Sequence, residues 1–143
     1  MIPTDGSPEA LVHRLADAVN SHELASVVGC FAADYRNETP VHPERDFTGR
    51  EQVQRNWEQI FAGVPDIRAT VLRVCADADT AWSEWEHSGT RRDGSRHLMR
   101  GVVIFGVVDG LAAWARFYLE PVQAGSGGVD AFVRQQVTVG ETR

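Results

Sequence analysis

The stretch that decides the fold is Leu98-Met99-Arg100-Gly101-Val102-Val103-Ile104-Phe105-Gly106-Val107-Val108-Asp109-Gly110-Leu111-Ala112-Ala113-Trp114-Ala115-Arg116-Phe117-Tyr118-Leu119-Glu120-Pro121-Val122. Leu98 to Val108 is a near-continuous apolar run, the pattern of a strand at the centre of a sheet. Asp109-Gly110 is a hairpin turn, and Leu111 to Val122 is the returning strand. Upstream, Arg91-Arg92-Asp93-Gly94-Ser95 is a second Asp-Gly turn. It follows a Trp-rich strand, Thr80 to Thr90, and an alternating, branched strand, Ile67 to Val74. The second half is therefore a run of antiparallel strands.

The first half reads as helices. Ser7-Pro8-Glu9 is a helix start: Ser7 can cap, Pro8 suits the first turn and Glu9 complements the dipole. Leu11, Val12, Leu15, Ala16 and Val19 form one apolar stripe. A short second helix is expected after Ser21, with Leu24, Val27, Val28 and Phe31 on one face. Thr48-Gly49-Arg50-Glu51 reads as a capping box. It opens a third helix with Val53, Trp57, Ile60 and Phe61 inward, stopped by Gly63 and Pro65. Tyr35 to Val41 reads as a short strand. Helices segregated from antiparallel strands predict an α+β fold, with helices on one face of a curled sheet.

The chain has 143 residues, enough for one domain that buries roughly two thirds of its unfolded surface. A domain over residues 1–123 is expected, with a Gly-rich hinge and C-terminal tail over 124–143, where Val129 to Val139 is either a short docking helix or disordered. A net charge of −6 argues against nucleic acid, whose phosphates demand clustered Lys and Arg. The basic cluster Arg91, Arg92, Arg96, His97 and Arg100 spans a turn and reads as a solvated hairpin tip. Cys30 and Cys75 match no metal or redox spacing and are expected to be buried free thiols, which suits a cytoplasmic location. Met1 to Gly6 carries no leader pattern, and no segment approaches a membrane span. His13, His22, His42 and His97 are scattered without ligand spacing, so no metal is expected; no phosphate loop, dinucleotide fingerprint or nucleophile elbow appears, and no cofactor is expected.

The element order, and four words within it, resemble the NTF2-like superfamily and its SnoaL-like members. The words are Leu11 to Asn20, Phe31-Ala32-Ala33-Asp34-Tyr35, Phe47-Thr48-Gly49-Arg50-Glu51 and Trp114-Ala115-Arg116-Phe117-Tyr118. The resemblance covers roughly residues 8 to 122. It implies a cone-shaped half barrel, a curved antiparallel sheet with three helices from the N-terminal half enclosing a pocket, and a homodimer. It leaves the reaction open, because the superfamily hosts cyclases, isomerases, hydrolases and binders.

Against the ketosteroid isomerase pattern, Leu15, Thr39 and Val103 stand where that family has its Tyr and two Asp residues, so its proton shuttle is missing. The limonene-epoxide hydrolase pattern keeps its helper pair as Tyr35 and Asn37, but its Asp-Arg-Asp set is replaced by Trp85, His87 and Arg116. Polyketide cyclases carry an acidic residue on the last strand; Arg116, Tyr118 and Glu120 lie nearest.

Residues two apart on a strand share a face. Trp114, Arg116, Tyr118 and Glu120 therefore form one face of the last strand, opposite Ala113, Ala115, Phe117 and Leu119. The resemblance places Trp114, Arg116 and Tyr118 inward with Trp85 and His87, while Trp57 and Phe61 point in from the third helix. The implied pocket has Trp57, Phe61, Trp85, Val103, Phe105 and Trp114 as walls. His87 would move a proton, since an imidazole titrates near working pH. Arg116 and Tyr118 would stabilise an oxyanion, and Tyr35 with Asn37 would orient substrate or water. Arg116 could equally form an ion pair with Glu38 or Glu84. The expected function is a cofactor-independent enzyme on a small apolar oxygenated metabolite, of cyclase, isomerase or hydrolase type. A non-catalytic binder is the alternative, and an interaction module using Phe117, Leu119 and Trp82 on the outer sheet face is a third.

Overall fold

Ser7 caps the first helix as its sequence predicts, accepting from the Ala10 N–H at 3.2 Å. The computed structural model describes residues 6–125 and 127–138. Helix α1 (Pro8–Ser21) ends at His22, which takes a left-handed conformation. Helix α2 (Leu24–Val28) follows, then β1 (Phe31–Glu38), β2 (Phe47–Thr48), α3 (Arg50–Gly63), β3 (Arg68–Asp77), β4 (Thr80–Thr90), β5 (Arg96–Val108), β6 (Leu111–Pro121) and α4 (Val129–Val137). The strands form one six-stranded sheet in the order β2-β1-β6-β5-β4-β3. The class is α+β, with a curved, unclosed sheet. All pairings are antiparallel except β1 on β6, which is parallel.

The helices are held on the concave face by burial. Leu11, Val12, Leu15, Ala16 and Val19 of α1 are buried together with Val103 and Phe105 of β5 and Ala69 of β3. Asn20 ties α1 to the edge strand by both arms of its amide: Oδ1 accepts from the Ala69 N–H at 2.7 Å and Nδ2 donates to the Ala69 carbonyl at 2.9 Å.

Several local expectations are corrected. Phe31 is the first residue of β1 and not part of α2, because Gly29 ends the helix and Phe31 joins Ala112 in the ladder. β1 therefore begins earlier than Tyr35 and ends before Thr39. The Thr48–Glu51 capping box does not form. Thr48 belongs to β2, and Gly49, with φ of 104°, occupies the cap without a side-chain bond. Entry from strand to helix demands that backbone conformation, which glycine tolerates. Cys30 is buried but Cys75 is exposed, because it sits on the outer face of the edge strand opposite Trp82. Helix α4 forms, but Val129, Phe132, Val133 and Val137 are all exposed. Met1 to Asp5, on which the leader reading partly rests, Ser126 of the hinge and Val139 of the tail lie outside the described residues.

Candidate functional site

Between α1, α3 and the concave face lies a cavity of about 340 Å³. Its wall is mostly apolar: Trp57 and Ile60 come from α3, Trp85 from β4, Val103 and Phe105 from β5, and Phe117 and Leu119 from β6. Besides Asn56 of α3, polar groups enter at two places. One is a row on β1 and its end, Tyr35, Asn37 and Thr39, spaced two apart and so on one face. The other is His87 on β4 with His97 on β5. The exposed side chains of Arg45 and Glu120 mark the mouth, 3.5 Å from each other, with His42 3.6 Å from the same carboxylate.

The β1 row is internally bonded. The Tyr35 hydroxyl donates to Asn37 Oδ1 at 2.8 Å, and Asn37 Nδ2 donates to Thr39 Oγ1 at 3.4 Å. Burial pushes the Tyr35 phenol well above its usual range, so it stays protonated and works as a neutral group. Its ring is locked edge-on against Phe31, with centroids 4.8 Å apart. Thr39 in turn is fixed through its own N–H, which donates to Asp46 at 2.7 Å.

His87 is clamped by aromatics, with Trp85 edge-on at 5.7 Å and Trp57 at 6.1 Å. Burial, reinforced by the neighbouring His97, pushes its pKa down to about 4. A neutral imidazole therefore faces the cavity at neutral pH, able to accept or donate one hydrogen bond. Burial lowers His97 too, helped by Arg91.

The structure thus brings Tyr35, Asn37, His87, Trp57, Trp85, Val103 and Phe105 onto one cavity. It does not bring the rest. Trp114, Arg116 and Tyr118 face the outer side of the sheet, correcting the inward orientation that the resemblance implied. Trp114 and Tyr118 are exposed, and Arg116 donates to Glu38 Oε1 at 2.5 Å, also on that outer side. The Tyr118 hydroxyl first, and Glu38 after it, raise the Arg116 pKa above its usual value. The oxyanion role assigned to Arg116 and Tyr118 loses its setting. The physical reason is the binary pattern of β6: Ala115, Phe117 and Leu119 are the apolar set and take the core side. Phe61 also misses the cavity and packs on Trp57 and His22. The outer face presents Trp82, Trp114 and Tyr118, not Phe117 and Leu119.

The inward residues that sequence reasoning missed include Thr39, His97, Phe117 and Leu119. Apolar alternation alone would have found Phe117 and Leu119. The period-two run Tyr35, Asn37, Thr39 would have found Thr39, had the strand's polar face been followed to its end. Among the described residues no cluster of His, Cys, Asp and Glu could hold a metal ion. No helix among them is long and apolar enough to cross a membrane.

Comparison with known proteins adds the fold's company. The model of the SnoaL-like domain matches residues 12–117. An epoxide hydrolase of LEH-like type from M. tuberculosis superposes with a TM-score of 0.69 at 16% identity, covering 82% of this chain and 86% of that one. IdmH from Streptomyces antibioticus, a proposed polyketide cyclase, gives 0.68 at 21% identity, with 78% and 91% covered. A protein of ketosteroid isomerase-like fold from Catenulispora acidiphila, in complex with trimethylamine, gives 0.67 at 18% identity, with 78% and 86% covered. At such identities the likeness is one of fold. A search among curated proteins returned no match.

Proposed function

The chain belongs to the SnoaL-like domain family, and on that premise we propose that its cavity is the active site of a cofactor-independent enzyme acting on a small, mostly apolar, oxygenated metabolite. The chemistry is of cyclase, isomerase or hydrolase type. The observation that carries the reading is a neutral imidazole, His87, facing an apolar chamber whose other wall holds the bonded Tyr35–Asn37 pair. His87 accepts or returns a proton at the reacting carbon or at a water, while Tyr35 and Asn37 orient the oxygen that is attacked or held. Desolvation makes His87 a weak base in the free protein, and a developing negative charge on the substrate strengthens it as the reaction proceeds.

A second reading, a non-catalytic small-ligand binder, draws support from Arg116 and Tyr118, which stand outside the cavity and remove two of the five expected catalytic groups. A homodimer through Trp82, Trp114 and Tyr118 of the outer sheet face, a cytoplasmic location, and a functional domain ending near residue 123 complete the proposal.

The test is incubation of the purified chain with small terpenoid-type and polyketide-type ketones, enones and epoxides, followed by mass spectrometry. Conversion of at least one compound, abolished in a folded His87→Ala variant that still binds it, supports the enzyme. Compounds that bind but are never converted leave the binder as the correct reading, with affinity lost on Trp57→Ala or Trp85→Ala.

A further inference from the structure

We infer that the cavity takes an uncharged ligand through an acceptor oxygen, as of a ketone or lactone, seated on its β1 wall between the Thr39 hydroxyl and the Asn37 amide. The inference rests on the pocket reading above and narrows it to a substrate class.

It follows from counting donors. Tyr35 has one hydroxyl hydrogen, and it goes to Asn37 Oδ1 at 2.8 Å. The Asn37 amide carries two hydrogens. One points to Thr39 Oγ1 at 3.4 Å, and the other has no protein acceptor among the described residues. Thr39 receives that bond, and its own hydroxyl hydrogen likewise has no acceptor among them. The row therefore runs in one direction and finishes with two unspent donors. Both belong to residues under 10% exposed that line the cavity: Asn37 is 7% and Thr39 6% exposed. Buried donors are almost always matched, by protein or by ordered water, so a ligand that displaces water from this wall binds well only if it returns an acceptor to the two donors.

The facing wall adds no competing donor from Trp85. Its indole N–H is spent on Ser83 Oγ at 2.8 Å, and the Ser83 hydroxyl is spent on the Val103 carbonyl at 2.7 Å. Trp85 thus offers only its ring face. A ligand anion is disfavoured at Thr39. The charges lining the cavity, Arg45 and Glu120, face each other. A carboxylate carried to Thr39 would meet the like charge of Asp46, which accepts from the Thr39 N–H at 2.7 Å, beside a mostly apolar wall, and that is costly.

The test uses the full chain and three probes of one shape, by equilibrium dialysis: 2-acetylnaphthalene, 2-ethylnaphthalene and 2-naphthoate. The ketone is expected to bind about tenfold tighter than the ethyl compound, the size of one or two net hydrogen bonds, and at least about tenfold tighter than the carboxylate. Thr39→Val should cut the ketone's advantage to about threefold or less while leaving the ethyl compound unaffected, and Thr39→Ser should restore it. Equal binding of ketone and ethyl compound by the wild type overturns the inference, independently of any variant. So does naphthoate binding as tightly as the ketone, or an unchanged ratio in Thr39→Val. Failure of all three probes to bind overturns the pocket reading itself, and this inference with it.

Discussion

The Trp114 indole fills the space beside Gly106: a methyl group built on Gly106 would stand 1.9 Å from the indole nitrogen. The two residues are cross-strand partners between β5 and β6. Their contact fixes Trp114 on the outer face and, through the pleat, turns Phe117 and Leu119 toward the cavity.

Gly106→Ala should therefore destabilise the chain by about 1–3 kcal/mol, the range for overpacking. Trp114→Ala in the same chain should recover most of that loss, since the clash is with this one side chain. Urea denaturation of the two single variants and the double variant checks the coupling. Additive losses would mean that Gly106 is needed for another reason.

His87 makes stability depend on pH. Its folded pKa is pushed from 6.5 down to about 4, so the unfolded chain takes up a proton that the folded chain refuses. Above about pH 6.5 both states are neutral and nothing is lost; as pH falls from 6.5 toward 4, stability declines, by on the order of 3 kcal/mol in full. His97 shifts in the same direction and adds to the decline. His87→Phe should flatten most of the difference between urea midpoints at pH 7 and pH 5. An imidazole resonance for His87 that titrates near 6.5 in the folded chain would contradict the account.

Arg116→Ala should leave cavity binding of 2-acetylnaphthalene within about twofold of wild type, because the guanidinium pairs with Glu38 on the opposite side of the sheet and sites without shared partners act independently. Leu119→Ala, on the cavity side of the same strand, should change it clearly. Equilibrium dialysis decides between the two. A large loss in Arg116→Ala alone would return Arg116 to the site.

The two thiols should separate by reactivity. Cys75 is exposed and should react with a disulfide reagent within minutes in the native state. Cys30 is buried, and burial raises its pKa above the usual thiol value, so it should react only on unfolding. Counting thiols with and without denaturant checks this.

Much of the site was legible because strands alternate. Tyr35 and Asn37 were readable as a pair two apart, and Trp85 with His87 likewise, since one pleat places both on one face. Which face was harder. On β4 the resemblance and the pattern agreed, because Glu84 and Glu86 had to face water. On β6 they conflicted: Ala115, Phe117 and Leu119 are the apolar set, yet the resemblance turned Trp114, Arg116 and Tyr118 inward. Burial followed polarity.

The sequence by itself determined the types of the longer helices and strands, the α+β class, the turns at Asp93-Gly94 and Asp109-Gly110 and the apolar stripe of α1, since all of these rest on local spacing and backbone preference. Only the tertiary structure decided which side of β6 meets the cavity, that Glu120 closes with Arg45 at its mouth, that Thr39 ends the donor row, and that Cys75 lies open. Those facts depend on which strand lies beside which and on where the helices leave the sheet uncovered. No short stretch of chain encodes a neighbour that is remote in sequence.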